Sequence, residues 1–305
     1  MSIQASNVFA TMMTNLIKPI YLDEAKLGTT VRKQSGIVGG TYEFLNGGYN
    51  IARRVSSGDT ATPNNTKFNK IQVVLQDYAS CDYSSIFDKQ KMTFDEQSYL
   101  AKSIGGALGR IIDQVIIDTM NAIVPVNTKP TVDAPNMAVI KGDGTYPTVP
   151  VAYVAADRVA FSLSAVKKAR TIMDSNGVPM ANRYIALTPE CTEALLNDAS
   201  VTSADFNTVR ALVSGEIDTF LGFKFIQIGQ RPEGGLPSSV YTTGALGGTA
   251  FAFHTEALGI AMGMEPKVAV NYVAQARSWL VDGTLSLGAG AIDKNGIIKI
   301  IHGTV

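Results

Sequence analysis

The sequence predicts an α+β protein, and three stretches carry that prediction. Thr93–Glu96 opens the longest apolar helical pattern in the chain. Ahead of it, residues 36–85 alternate as strands on either side of a tip made of turn residues. Beyond residue 263 the chain alternates again as strands. No repeat period is visible.

Residues 1–35 are mixed and polar, with one short apolar stretch (Phe9, Met12, Met13, Leu16, Ile17) ended by Pro19. Such a segment has too little apolar surface to fold alone and is expected to lie along something larger. The excursion at 36–85 opens with Gly39-Gly40, alternates through Tyr42 and Phe44, and turns at Gly47-Gly48. Its middle, Ser56 to Asn65, is turn chemistry, and Ile71, Val73 and Leu75 bring it back on a period of two. An isolated two-stranded ribbon is marginal in water, so this one needs a partner surface.

In Thr93-Phe94-Asp95-Glu96 the threonine hydroxyl and the glutamate carboxylate can each satisfy an orphan amide. The helix they start carries Leu100, Ile104, Leu108, Ile111, Ile112, Val115, Ile116 and Ile123, and must end before Pro125. That is about 30 residues, or roughly 45 Å, with a bend expected at Gly105, Gly106 and Gly109. The Leu100–Ile104–Leu108–Ile111–Val115 face is the one expected to be buried.

Residues 125–153 are rich in proline and glycine and read as loop or short hairpin. Asp157 is the expected cap of a second helix carrying Val159, Leu163, Val166, Ala169, Ile172 and Met173, stopped at Asn176-Gly177. Tyr184–Leu187 reads as a strand, and Thr188-Pro189-Glu190 starts another helix. A further helical stretch is expected from Ala204 to Val213. Phe220–Ile228 and Thr249–Phe253 are strand-like and Glu256–Met262 looks helical. In the closing strands, Gly283, Gly288, Gly290 and Asn295-Gly296 read as turns.

Composition narrows the function. The chain of 305 residues can bury a substantial core as one large domain or two. It is 46% hydrophobic but only 17% charged, against about 25% in a typical soluble domain. Its 26 basic and 26 acidic residues cancel, so copies packing edge to edge meet little self-repulsion. That neutrality, without any Lys/Arg-rich run, argues against a dedicated nucleic-acid binder. Cys81 and Cys191 are too few for a disulfide scaffold and suit a reducing cytoplasm, where the Asn64-Asn65-Thr66 sequon has no meaning. No basic leader and no apolar run of membrane-spanning length occurs.

A search for chemistry finds little. No phosphate-cradling glycine loop occurs, and Gly288-Ala289-Gly290 lacks the third glycine of a dinucleotide fingerprint. The two histidines, His254 and His302, have no second ligand at metal spacing, and His254 reads as a structural residue ending a strand. Ser286 has the wrong spacing for a nucleophile elbow. Asp95-Glu96 is explained by helix capping. Arg53-Arg54 stands on the excursion, where the pair could meet a neighbouring subunit's carboxylates or carbonyls or simply be solvated. No catalytic, cofactor-binding or metal residue is assigned.

From Gly177 onward the sequence resembles the major capsid proteins of tailed double-stranded DNA bacteriophages. The resemblance runs through Gly177-Val178-Pro179, then Asn182 to Pro189 and Ala194 to Asp198. It continues through Gly215 to Ile226, Ala250 to Gly259 and the closing Gly288 to Ile300. Each motif is weak alone, and their order carries the resemblance. With the upstream parts it implies the Hong Kong ninety-seven-type capsid fold: an N-terminal arm at 1–35, an extended loop (E-loop) at 36–85, a peripheral P-domain at 86–177 and 263–305 with a spine helix at about 93–124, and an axial A-domain at 178–262.

The implied function is a shell subunit, not an enzyme, assembling as pentamers and hexamers around double-stranded DNA that it encloses without sequence-specific binding. Scaffold, portal and decoration partners would be separate proteins. Assembly is expected in the host cytoplasm, with no membrane and no cofactor. Some relatives crosslink an E-loop lysine to a neighbour's asparagine. Lys67 and Lys70 match that lysine by position only, and no partner motif is visible. An encapsulin-like compartment, a small-molecule enzyme and a tail-tube or sheath protein stand as alternatives.

Overall fold

The computed structural model describes residues 25–48, 50, 52–60, 63–66, 68–89, 91, 95–123, 137–146, 159–197, 219–229, 231, 233–240 and 246–303. Its strands are β1 (Arg32–Ser35), β2 (Thr41–Gly47), β3 (Phe68–Val74), β4 (Gln76–Ser85), β5 (Ala138–Lys141), β6 (Arg183–Leu187), β7 (Thr219–Phe220), β8 (Phe223–Gln227), β9 (Ser238–Val240), β10 (Leu246–His254), β11 (Leu258–Val273), β12 (Ser278–Ala291) and β13 (Ile297–Gly303). Its helices are α1 (Ile86–Lys89), α2 (Glu96–Ala122), α3 (Leu163–Ser175) and α4 (Pro189–Asn197). This is the α+β class read from the sequence.

The strands form three sheets. One has the order β1-β11-β12-β4, the second is β5-β13-β10-β6-β8-β7 with β9 on β10, and among the described residues β2 pairs only with β3. The long strands β11 and β12 form an antiparallel ribbon from Leu258↔Ala291 to Val273↔Ser278. Its register slips between Met262 and Lys267, where Pro266 cannot donate to the ladder.

Helix α2 is an unbroken 27-residue element, about 40 Å long, and ends where Ile123 turns extended ahead of Pro125. Its buried stripe is Ile104, Leu108, Ile112, Ile116, Ile117 and Met120. The expected face is therefore turned by about one residue, with Ile111 and Val115 only half-buried along its edge. The helix packs on β12 at Gly283, where a Cβ would clash with Ile104 Cγ2. The expected capping box is not what is seen at its start: Glu96 accepts from the Ser84 hydroxyl at 2.6 Å, Asp95 holds the cap position, and Thr93 lies outside the described residues.

Helices α3 and α4 cover one face of the seven-stranded sheet, burying Val166, Ile172 and Leu195 against Ile185, Ala252 and Ile300. The sheet's other face, with Phe251, Phe253 and Ile297, joins the core under α2. One continuous cluster thus ties the two sheets and the long helix together. Helix α3 begins at Leu163 after Ser162, later than expected, because Val159 and Ala160 run extended beside Gly303; Asp157 lies outside the described residues. Its end matches the sequence. The Val178 amide donates to Met173 and the Gly177 amide to Asp174, with Gly177 at φ +71°, a Schellman stop.

Several sequence expectations fail for identifiable reasons. Gly283, Gly288 and Gly290 are not turns but lie inside β12. Glu256–Met262 is not helical: a 3-10 turn at Thr255–Ala257 runs straight into β11, which is buried between β1 and β12. Phe220–Ile228 is broken by a turn at Leu221-Gly222, with φ values of +51° and +83°. Within 125–153, Ala138–Lys141 is a fully buried strand parallel to β13. The expected helix at 204–213 lies outside the described residues.

Candidate functional site

Cross-strand partners share a face, so the pairing of β2 with β3 sorts the ribbon into two faces. Tyr42↔Val73 and Phe44↔Ile71 form the inner face, and Leu45↔Lys70, Gly47↔Phe68 and Thr41↔Val74 the outer. The inner face is seated on its own subunit: Phe44 and Val73 are buried with Ala261 and Ile292, and the Asn46 amide donates to the Ile292 carbonyl at 3.2 Å. The partner surface that a lone hairpin lacks is therefore supplied, at its base, by the β11–β12 ribbon.

The outer face has no such cover among the described residues. Leu45 is 63% exposed, Phe68 73% and Val74 60%. Across this apolar stripe Lys70 bonds Glu43 at 2.8 Å, which raises the lysine's pKa and leaves a solvated ion pair. At the tip, the Asp59 carboxylate accepts from the Ser56 amide and the Asp59 amide donates back to the Ser56 carbonyl. Arg53 and Arg54 stand exposed beside that tip. Lys67 lies outside the described residues. The structure thus places Arg53, Arg54 and Lys70 on one projecting ribbon but does not converge them on any shared point.

The most constrained polar site lies elsewhere, in the middle of α2. Asp113 is fully buried, and its carboxylate accepts from the backbone amides of Lys26 and Leu27, each at 2.9 Å. Arg231 Nη2 donates to the same carboxylate at 2.7 Å. Around it, Gln114 accepts from the Gly234 amide, Lys26 Nζ donates to the Gln227 carbonyl, and Arg110 pairs with Glu233. One helical turn thus holds Lys26 and Leu27 together with Arg231, Glu233 and Gly234. Asp113 escapes a periodicity reading because it sits between Ile112 and Ile116 and looks like an ordinary polar interruption. The signal that could have found it is an acid inside an otherwise apolar stripe.

The two histidines have structural surroundings. His254 Nδ1 accepts from the Glu256 amide at 3.2 Å and caps the 3-10 turn, and burial lowers its pKa. His302 Nε2 lies 3.1 Å from Cys191 Sγ, and its ring lies close against Gly248, where a Cβ would fall 2.6 Å from the imidazole. No spacing pattern points to this pairing across 111 positions. It is not an activated thiol: burial pushes the Cys191 pKa up to about 11, although Thr188 donates to the sulfur. Among the described residues no group of three or more His, Cys, Asp or Glu could hold a metal ion, and no helix is long and apolar enough to cross a membrane.

The motifs behind the capsid resemblance serve the same architecture. Arg183 is buried and donates from Nε to the Pro179 carbonyl at 2.8 Å while pairing with Asp174, which locks the end of α3 to the start of β6. Asn182 takes a left-handed conformation and its carbonyl accepts from the Thr255 amide, tying that corner to the end of β10.

A long helix on a four-stranded sheet, a projecting ribbon and a helix-covered second sheet together define the class of Hong Kong ninety-seven-type capsid subunits. The whole-chain likeness to solved capsids agrees. The capsid structure of the cyanophage P-SCSP1u superposes with a TM-score of 0.73 at 18% identity, over 98% of this chain and 94% of that one. The head structure of Helicobacter pylori bacteriophage KHP40 gives 0.70 at 11% identity, over 96% and 95%. The capsid of Ralstonia phage GP4 gives 0.67 at 12%, over 97% and 96%. No curated protein sequence matches the chain. The chain belongs to the phage capsid protein family, whose model matches residues 9–303. Its function is structural: it is a major capsid protein, a shell component of the virion, and the family match favours that shell over an encapsulin-like compartment.

Proposed function

We propose that copies of this chain join as pentamers and hexamers into a closed icosahedral shell around double-stranded DNA, in the host cytoplasm and without enzymatic activity. The observation that carries the reading is the ribbon's outer face. Leu45, Phe68 and Val74 project into solvent on an element whose inner face is already committed to its own subunit. Exposed apolar stripes of this kind mark surfaces that a partner covers, and in a neutral chain with few charges the partner is another copy.

Arg53 and Arg54 then reach a neighbour's carboxylates or carbonyls. Lys70 is less available, since its amine is bonded to Glu43. The arm, E-loop, P-domain and A-domain division serves as the working frame, and strand pairing favours grouping 138–141 and 297–303 with the A-domain sheet. The enclosed DNA is held by the shell's closure without base-specific contacts, and scaffold, portal and decoration proteins are separate chains. Negative-stain microscopy of the purified protein, over a range of concentration and salt and with any co-encoded scaffold, tests the reading. Closed shells of uniform diameter are expected. A protein that stays monomeric throughout would overturn it.

A further inference from the structure

The ribbon is tethered at both ends: β3 runs through Leu75 into β4, which pairs with β12 from Gln76↔Leu287, and on the entry side the Ile37 amide donates to the Met262 carbonyl. Gly36 and Gly39 have φ of +73° and +118°, and a Cβ added at Gly36, Gly39 or Gly40 would meet nothing within 4 Å. Past Ile37 these entry glycines bring no side chain to bear on the ribbon's tilt. Between those tethers the ribbon's inner face rests on three glycines of one sheet face. Gly259 pairs directly with Gly290, and Gly288 lies two residues along on the same face. A Cβ at Gly259 would fall 2.6 Å from Phe44 Cζ, one at Gly290 would fall 2.5 Å from Val73 Cγ2, and one at Gly288 would collide with the Val74 carbonyl oxygen. Farther up the ribbon, the Asn46 bond to the Ile292 carbonyl gives a further point of support.

We propose that Gly259, Gly288 and Gly290 form a seat that fixes the ribbon's angle to the sheet, and that this angle decides whether its outer face can meet a second copy of the chain. The proposal rests on the shell reading above. It also accounts for a pattern that has no turn to explain it, since three glycines inside the paired strands β11 and β12 cost strand stability and contribute no side-chain packing of their own. Their return is close approach: the ribbon lies against bare backbone, and any side chain there pries it upward. Because the outer stripe is displaced together with the seat, a tilt at the base carries Leu45 and Phe68 out of register with a neighbour even though neither residue is altered.

The test uses the full chain in a Cys81→Ser background, with spin labels at Ser57→Cys on the tip and Ala276→Cys on the β11–β12 turn, and Cys191 left buried. Gly290→Ala is expected to shift the label-to-label distance and to abolish the fast-sedimenting shell peak, while far-ultraviolet circular dichroism stays that of the folded subunit. Adding Val73→Ala, which removes the side chain in the way, is expected to restore both the distance and the shells. An unshifted distance in Gly290→Ala overturns the seat, as does a displaced ribbon that still builds normal shells. If Gly290→Ala fails to fold, the Gly290→Ala/Val73→Ala protein decides, and its failure to fold as well overturns the proposal. A parent protein that forms no shells sinks the shell reading instead, and the distance measurement still judges the seat.

Discussion

Asp113 and Arg231 form a buried ion pair, 2.7 Å from Nη2 to Oδ2, with side chains 0% and 2% exposed and 118 positions apart in the chain. The carboxylate is fully committed, because the Lys26 and Leu27 amides share it. Removing one partner of such a pair leaves a desolvated charge with no answer, which costs about 3–5 kcal/mol, whereas replacing both with apolar groups is often close to neutral. Asp113→Ala or Arg231→Met is therefore expected to destabilise the subunit by about 3–5 kcal/mol in urea titrations. The Asp113→Leu/Arg231→Met double variant should lose clearly less than the sum of the single variants. Additive losses would mean that the two side chains do not act as a pair.

The rotated stripe on α2 makes a second, differential prediction. Ile116 is buried between the helix and both sheets, while Ile111 lies along the edge of the same core. Ile116→Ala should cost about 2–5 kcal/mol through the cavity it leaves, and Ile111→Ala roughly half as much, since its site is open to solvent on one side. Equal losses in thermal or urea unfolding would contradict the observed orientation of the helix.

Much of this architecture is legible in sequence wherever local chemistry alone decides it. The long apolar period of α2, the Asn176-Gly177 stop and the Thr188-Pro189 start each need only their own neighbours. The failures lie where a distant segment decides. Gly288 and Gly290 have the composition of a turn, and only the ribbon lying on them turns that composition into a strand seat. Glu256–Met262 has residues that suit a helix, but pairing with β1 and β12 on both edges overrides that preference. Asp113 and the Cys191–His302 contact each join segments more than 80 positions apart, and no spacing rule connects them. The candidate surface was legible as a ribbon, but the division of its residues into a seated face and a free face required the register.

The Cys191 thiol gives a prediction in pH. Burial raises it from 9.0 to about 11 in the folded chain. Above pH 9 the unfolded chain releases this proton while the folded chain keeps it, so unfolding releases a proton and stability falls as the pH climbs. The contribution is fully present below pH 9 and lost on the way to 11, on the order of 2–3 kcal/mol in the limit. The margin of wild type over Cys191→Ala should accordingly shrink across that interval. A margin that stays constant with pH would count against the buried, protonated thiol. The same burial predicts that a thiol reagent modifies exposed Cys81 in the native protein and reaches Cys191 only after denaturation.

The last prediction separates the ribbon's two jobs, sitting on its own subunit and reaching another. Replacing residues 47–68 with Asn-Gly removes Phe68, Arg53, Arg54 and the tip but leaves the pairs from Thr41↔Val74 to Asn46↔Asn69 joined by a favoured two-residue turn. Phe44, Val73 and the Asn46 bond all survive, so the seated part keeps every contact that holds it to the β11–β12 ribbon. Among the described residues, nothing buried in either main core is touched. The shortened subunit should therefore keep a far-ultraviolet spectrum and melting temperature close to wild type. What it loses is reach and Phe68, the most exposed of the outer stripe's three apolar residues, so sedimentation should show small species where the full chain gives shells. A shortened chain that still builds normal shells would make the outer ribbon decoration and not a joint. One that unfolds would show that this stretch supports the subunit itself, against the exposed setting of Arg53, Arg54 and Phe68 in the fold.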